Sequence, residues 1–245
     1  MTMLLASVKN LSEVRKILTT NFDIIDLKNP SDGVLGAWNL QEASKAVKLI
    51  AGKKLISATV GDVPMQADKI YKTLQNFNQT GINYIKIALT SSTDLINVLK
   101  DLPNLRQLDA KIIAVFFADY GVNITLIEYL SRAGFSGVML DTAKKKSGSL
   151  VDFLNIRIIE NFLKRAKKHQ LLSGLAGSLQ IRHVPTMLDL RSDVLGFRGA
   201  LCGREGREGD LCQESLSRFH RIVSDLHRSK PESATAMADA QAAIS

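Results

Sequence analysis

Charged side chains interrupt or end several of the short apolar runs in this 245-residue sequence. Asp26 and Lys28 alternate with apolar neighbours in DIIDLKNP, and Lys86 does so in NYIKIAL. Asp141 ends the run GVMLD, and Arg198 follows the run VLGF. Because successive side chains of a strand point to opposite faces, the charged residues lie on one face and the aliphatic residues on the other. Buried charges are costly unless they are paired, so these groups must pair with each other or perform chemistry.

Lysines and carboxylates brought together in this way favour carbonyl chemistry. Two neighbouring ammonium groups lower each other's pKa, and a lysine that is neutral part of the time attacks carbonyl carbons. A nearby carboxylate can then move protons through carbinolamine, imine and enamine intermediates. Lys28, Lys86, Asp26 and Asp141 together therefore predict Schiff-base catalysis. The alternative for each lysine taken alone is an amine that extends to solvent.

Glycine-containing segments follow two further apolar runs and predict a phosphate site. Gly177 and Ser178 end LLSGLAGS, and Gly199 follows Arg198 in GFRGA. Glycine lets backbone N–H groups come close to an anion, and an adjacent guanidinium adds charge. In α/β barrels, the loops after the seventh and eighth strands frequently bind phosphate. We therefore predict phosphate binding at Gly177, Ser178, Arg198 and Gly199.

The apolar runs alternate with amphipathic stretches along the chain. This order predicts parallel strands joined by right-handed crossovers. About eight such units in about 225 residues favour a single (β/α)8 TIM barrel, in which the active site lies at the carboxyl ends of the strands. A doubly wound open sheet is the alternative, disfavoured because no G-x-G-x-x-G follows the first strand. The predicted strands are 3–8, 22–28, 54–61, 83–89, 111–119, 137–141, 171–177 and 193–199. The predicted helices are 12–18, 41–50, 68–77, 93–102, 123–133, 152–169, 182–190 and 214–226.

The chain divides into a predicted catalytic barrel over 1–227 and a short tail over 228–245. The tail ends in the alanine-rich SATAMADAQAAIS, lacks large apolar residues, and is expected to be flexible, either disordered or loosely helical. The two cysteines are too few for a disulfide framework and do not have the spacing of zinc ligands. The longest apolar run is too short to span a membrane. These features predict a reduced, cytoplasmic protein with no membrane partner.

The charge balance favours an anionic partner. Lys and Arg number 32 against 24 Asp and Glu, a formal net charge of +8. A phosphorylated small substrate and a nucleic acid both suit such a protein. Aromatic residues are only 6% and do not interleave with the basic runs as stacking platforms would, which disfavours nucleic acid. The oligomeric state stays open, and a homo-oligomer is compatible with the sequence.

Several longer segments resemble one enzyme family in the same order, from about residue 4 to residue 202. The segments are DIIDLKNPSDGVLGA, SATVGDVP, YIKIAL, VMLDTAKKKSGSLVDF, LAGSL and GFRGALC. They resemble the (5-formylfuran-3-yl)methyl phosphate synthases of methanofuran biosynthesis, which are TIM barrels. The resemblance implies a carbon–oxygen lyase that joins two glyceraldehyde 3-phosphate molecules. Phosphate and water are lost, and the product is 4-(hydroxymethyl)-2-furancarboxaldehyde phosphate.

The resemblance also implies roles for single residues. Lys28 in D-L-K-N-P would form the Schiff base, and Lys86 would accept a proton. Asp26, Asp141 and Lys145 would complete the acid–base set, although the KKK run leaves open which of its lysines reaches the site. No metal or organic cofactor is implied. The alternatives are another Schiff-base aldolase or isomerase acting on phosphorylated sugars and, outside enzymes, a basic protein that binds nucleic acid or other anions.

Overall fold

Eight parallel strands close into a barrel in chain order, and β1 is hydrogen-bonded to β8. The protein is described by a computed structural model over residues 2–31, 35–90, 94–144 and 147–229. The predicted TIM barrel is confirmed, and the open sheet is excluded because its edge strands would be unpaired. The strands are β1 Met3–Val8, β2 Ile24–Leu27, β3 Leu55–Thr59, β4 Tyr84–Ala88, β5 Lys111–Phe117, β6 Gly137–Asp141, β7 Leu172–Leu175 and β8 Val194–Phe197.

Helices follow the strands and cover the outside of the barrel. The prediction of one helix over 152–169 is wrong: the chain forms two helices, because the side chain of Asn155 accepts a hydrogen bond from Ile158 N and starts a new helix. The first helix is capped by Asn10, whose side chain accepts a hydrogen bond from Glu13 N. The helices are α1 Leu11–Leu18, α2 Leu40–Ile50, α3 Ala67–Asn78, α4 Leu95–Asp101, α5 Leu126–Ala133, α6 Leu150–Phe153, α7 Ile156–Lys168, α8 Val184–Asp189 and α9 Gln213–Ser229.

Apolar side chains form two layers. The larger layer lies between strands and helices, and it includes Ile25, Leu27, Ile85 and Ile87 from the outward faces of β2 and β4. The smaller layer fills one side of the barrel interior. Its members are Leu35, Ala88, Ile113, Val115, Phe117, Met139 and Ala143. The charged residues of β2 and β4 alternate with members of the larger layer, so they face the interior, as the sequence predicts.

Small residues line the opposite side of the interior. Ala176 follows β7, and Gly196 comes from β8. Their lack of bulk leaves open space at the carboxyl ends of these strands, where a cavity is found. The packing of the barrel thus places the apolar filling on the β5–β6 side and the cavity on the β7–β8–β1 side.

Helix α9 continues to Ser229, and the rest of the predicted tail lies outside the described residues. Within the described ranges, no helix combines the length and the apolar character needed to cross a membrane.

Gly137 on β6 provides a test of the interior packing. A Cβ atom there would lie 2.7 Å from Ile113 Cδ1 and 2.8 Å from the backbone oxygen of Leu172. The strand oxygen cannot move without breaking the sheet, so Gly137→Ala is expected to lower the free energy of unfolding by about 1–3 kcal/mol. Urea unfolding followed by circular dichroism measures the change. At the control position Gly203, the nearest atom to an added Cβ is 3.9 Å away. Equal unfolding midpoints for Gly137→Ala and Gly203→Ala would contradict this account.

Candidate active site

A cavity of about 370 Å³ opens at the carboxyl ends of the strands. Every predicted site residue that the structure describes lines this cavity, and Lys145 lies outside the described residues, as does Lys146. The predicted residues in the lining are Asp26, Lys28, Lys86, Asp141, Gly177, Ser178, Arg198 and Gly199. Lys144 is described, and its Nζ lies 5.8 Å from the centre of the Tyr120 ring.

Asp26 is fully buried and accepts hydrogen bonds from both neighbouring strands. In the sheet register it lies between Ser7 of β1 and Ser57 of β3, and both hydroxyls donate to its carboxylate. Lys86 Nζ lies 2.7 Å from Asp26 Oδ1. Burial alone would raise the pKa of Asp26, but the charges of Lys86 and Lys28 and these hydrogen bonds outweigh it. The pKa therefore falls below its ordinary value of 3.8, and the carboxylate stays ionised.

Lys86 is 5% exposed, and its only described ion pair is the one with Asp26. Burial lowers the pKa of the Lys86 amine below its ordinary value of 10.5, and the charge of Lys28 lowers it further. The carboxylates of Asp26 and Asp141 oppose that shift without cancelling it. The result is an amine that releases its proton more readily than a lysine in water.

Lys28 forms the second ion pair, nearer the mouth of the cavity. It follows the last residue of β2, and its Nζ lies 3.1 Å from Asp141 Oδ2 at the end of β6. The other carboxylate oxygen of Asp141 accepts a hydrogen bond from Thr142 N at 2.8 Å. Because Lys28 shifts the pKa values of both Asp26 and Lys86, the two pairs form one electrostatic unit.

The loop after β7 packs against the loop after β6 with no room for a side chain at Gly177. A Cβ there would lie 2.9 Å from Thr142 Cγ2 and 3.0 Å from Thr142 N, and the backbone φ is +101°. Ser178 follows with a φ of +49°, a conformation that costs a non-glycine residue about 1–2 kcal/mol. Glycine is needed here because two loops of the protein approach closely. Strained backbone of this kind is concentrated at functional sites.

The guanidinium of Arg198 is hydrogen-bonded to protein groups on several sides. Its two terminal nitrogens donate to both carboxylate oxygens of Glu13, a residue of α1 that is 2% exposed. The same guanidinium donates to the backbone oxygens of Ser7, Arg207 and Gly209. These five bonds use the five N–H groups of an arginine. The side chain thus holds α1, β1 and the loop after β8 together, and phosphate binding at Arg198 stays a prediction.

Sequence reasoning missed several residues around the cavity. Ser7 and Ser57 carry a signal, since the alternation applied to β2 places them on the inward faces of β1 and β3. Asp119, after β5, accepts hydrogen bonds from Ala143 N and Lys144 N and so holds the loop after β6. Glu13 and Arg207 carry no local signal, because both depend on contacts between distant parts of the chain. In the described part of the chain, no three His, Cys, Asp or Glu side chains are placed to hold a metal ion.

A cavity with paired lysines and carboxylates at the carboxyl end of a closed (β/α)8 barrel defines an enzyme of the TIM-barrel class. Comparison with known proteins narrows this class. A model of the 4-HFC-P synthase family matches residues 4–220 of this chain. The chain belongs to that family, and the resemblance identified from its motifs is confirmed.

The relatives match over nearly their whole length. The (5-formylfuran-3-yl)methyl phosphate synthase of Methanococcus maripaludis strain C5 is 31% identical over 227 residues, which cover 87% of this chain and 95% of that protein. The protein of the same name from Methanocaldococcus jannaschii is 32% identical over 232 residues, covering 89% and 98%. Among solved structures, 3-hexulose-6-phosphate synthase from Salmonella typhimurium has a TM-score of 0.62 over 92% of this chain and 100% of that chain. At 14% identity, this last likeness shows the fold alone.

The Asp26 carboxylate gives a prediction for pH dependence. Its pKa is lower in the folded protein than its ordinary 3.8, so on acidification the unfolded chain takes up the proton first. The stability that this ionised carboxylate contributes is therefore present above about pH 3.8 and lost as the pH falls towards the folded pKa. Asp26→Asn should show a smaller loss of unfolding free energy between about pH 5 and pH 3 than the wild type, measured by urea titration at each pH.

The matched control for this experiment is Asp101→Asn at the exposed end of α4, where the described residues offer no ion pair. This variant should follow the wild-type pH dependence. If the free energy of unfolding of Asp26→Asn depended on pH as it does in the wild type, the carboxylate would not be held ionised by its neighbours.

Proposed function

We propose that the protein condenses two molecules of glyceraldehyde 3-phosphate into 4-(hydroxymethyl)-2-furancarboxaldehyde phosphate through an imine on Lys28. The atoms balance when one phosphate and two water molecules leave. The observation that carries the proposal is the pair of lysine–aspartate contacts in one cavity of a chain that belongs to the 4-HFC-P synthase family. The furan product would serve as a precursor of methanofuran-type one-carbon carriers.

Lys28 is the proposed nucleophile because of its position near the cavity mouth. Its Nζ lines the cavity and lies 3.1 Å from an Asp141 oxygen. A carboxylate at this distance can take the ammonium proton and return it to the carbinolamine oxygen as water leaves. The resulting iminium makes the former ketone carbon strongly electrophilic, so that a carbon nucleophile formed from the second triose can add to it.

Lys86 is the proposed proton acceptor. Burial lowers the pKa of this amine, which makes the neutral form accessible nearer to neutral pH. Asp26 at 2.7 Å stabilises the ammonium form after a proton is accepted, so the two forms are held closer in energy. The same pair is suited to isomerising one triose phosphate to its ketone, which needs a base and a polarised carbonyl.

The proposed sequence of bonds begins with attack of Lys28 on the ketone of one triose and loss of the first water, which gives an iminium. The second triose loses its C2 proton to Lys86 and then phosphate from C3, which leaves an enol with an aldehyde at C1. The C3 carbon of this enol adds to the iminium carbon, and this new carbon–carbon bond creates the branched skeleton of a 2,4-disubstituted furan. The free hydroxymethyl oxygen closes the ring on the C2 carbonyl, and loss of the lysine amine and of the second water gives the aromatic furan, which makes the overall reaction favourable.

Two phosphorylated substrates need two anion sites. The loops after β7 and β8, with Gly177, Ser178 and Gly199 in the cavity lining, are the proposed site for one phosphate. The lysine run over 144–146 is the proposed site for the other, and Lys145 completes the proposed acid–base set together with Asp141.

The first test of this proposal traps the imine. Sodium borohydride added with glyceraldehyde 3-phosphate should reduce the imine and leave a covalent adduct on Lys28, identified by peptide mass spectrometry. Lys28→Arg should form no adduct and no product, because a guanidinium stays protonated and cannot form an imine. The control is Lys72→Arg on the exposed face of α3, and this variant should still form both the adduct on Lys28 and the product. Normal turnover by Lys28→Arg would refute the nucleophile role.

The second test separates proton transfer from imine formation. Lys86→Gln keeps a polar side chain beside Asp26 but cannot accept the proton, so turnover should fall by about 10²- to 10⁴-fold. When the ketone form of the triose phosphate is supplied directly, the borohydride adduct on Lys28 should still form with this variant. Product is followed by the ultraviolet absorbance of the furan aldehyde and identified by mass. A wild-type enzyme that yields only an aldol or an isomerised sugar phosphate would place the protein with the other Schiff-base aldolases or isomerases.

A further inference from the structure

The charged side chains that line the cavity differ in whether the protein neutralises them. Lys28 and Lys86 pair with aspartates, and Arg198 pairs with Glu13. Arg207 also lines the cavity and is partly buried, but across the described residues its guanidinium makes no ion pair and no hydrogen bond. Counting Glu13 with the lining residues, four cations face three carboxylates. The site therefore has one positive charge that no described protein group pairs with.

The loop that contains Arg207 is anchored from several sides. Arg198 donates to the backbone oxygens of Arg207 and Gly209, at 2.9 and 2.7 Å. The amine of Lys9 donates to Glu208 O at 2.7 Å and lies 3.0 Å from an oxygen of Asp210. These contacts hold the backbone of Arg207 in place, and its side chain lines the cavity.

Arg207 lies beside the predicted phosphate loop and within electrostatic range of the acid–base groups. A Cβ added at Gly199 would lie 3.8 Å from Arg207 Cβ, so the two residues are neighbours on the cavity wall. Burial lowers the pKa of the Arg207 guanidinium, and the charges of Asp141 and Glu208 oppose that shift. The group is therefore partly desolvated and still charged, a state in which an arginine binds anions strongly.

We infer that Arg207 is the arginine that binds a phosphate monoester dianion in this cavity, beside Gly199, and that Arg198 is a positioning residue acting through it. That the dianion belongs to a triose phosphate rests on the proposed function. The chemistry fits, because a guanidinium offers two parallel N–H donors to two phosphate oxygens. Arg198 has no donor left for this task, and its five bonds hold the loop that presents Arg207.

The experiment compares two arginines of one loop. Arg207→Gln and Arg204→Gln remove the same charge, and Arg204 is exposed and absent from the cavity lining. The dissociation constant of inorganic phosphate is measured for each by isothermal titration calorimetry, and the KM for glyceraldehyde 3-phosphate by product formation. Arg207→Gln should weaken phosphate binding roughly 10- to 100-fold and raise KM, while Arg204→Gln should change either value less than about twofold. An unchanged melting temperature of Arg207→Gln shows that the fold is intact.

A double variant tests the positioning role of Arg198. Arg198→Lys alone should weaken phosphate binding, but adding it to Arg207→Gln should cause no further loss if Arg198 acts through Arg207. Equal losses from Arg204→Gln and Arg207→Gln would assign the effect to overall charge and overturn the inference. The inference is also overturned if the wild type does not bind phosphate, or if Arg207→Gln binds it normally.

The outcomes also separate this inference from the proposed function. A wild type that makes the furan aldehyde with an Arg207→Gln variant of unchanged KM would leave the function standing and reject the arginine. Phosphate binding that depends on Arg207, in a protein that forms no furan aldehyde, would support the arginine and reject the function.

Discussion

The contact between Asp26 and Lys86 is the constraint on which the rest of the site depends. Both side chains point into a barrel whose remaining interior is largely apolar, and each would be costly to bury alone. The two groups pair with each other at 2.7 Å, and the hydroxyls of Ser7 and Ser57 donate further hydrogen bonds to the Asp26 carboxylate. Neighbouring strands must therefore keep a fixed register, because a shift by one residue would turn the serines or the charges outwards.

The same contact explains why the second pair can differ in role. With Asp26 held ionised, the positive charge of Lys86 is balanced. Lys28 and Asp141 can therefore lie nearer the cavity mouth without an excess of positive charge in the site. Both lysines line the cavity, but Lys86 lies within β4 and its pKa is lowered, while Lys28 follows the last residue of β2. In the proposed reaction this separates the amine that binds the substrate from the amine that moves protons, although both are lysines.

The parts of this structure that could be predicted from the sequence are those that depend on short-range periodicity. The alternation in DIIDLKNP and NYIKIAL identifies the inward faces of β2 and β4, and the repeated strand–helix order identifies the barrel. The same rule places Ser7 and Ser57 on the inward faces of β1 and β3. The sequence pattern does not show the break between α6 and α7, because it stays amphipathic across Asn155. Only the capping of α7 by Asn155 shows that a new helix begins there.

The arginines show what such rules cannot reach. Arg198 follows a strand and precedes a glycine, which locally resembles a phosphate site, yet its partner Glu13 lies 185 residues away in the chain. A buried carboxylate on α1 needs a counter-charge, and that need decides the orientation of Arg198 before any ligand arrives. Arg207 lies in the polar segment GREGREG, where nothing in the local sequence separates it from Arg204. The distinction arises only when Arg198 and Lys9 fold the segment back over Gly199. Identifying the ligand-binding group at the cavity mouth therefore requires knowing which charges the protein has already neutralised, and that information lies in the tertiary contacts.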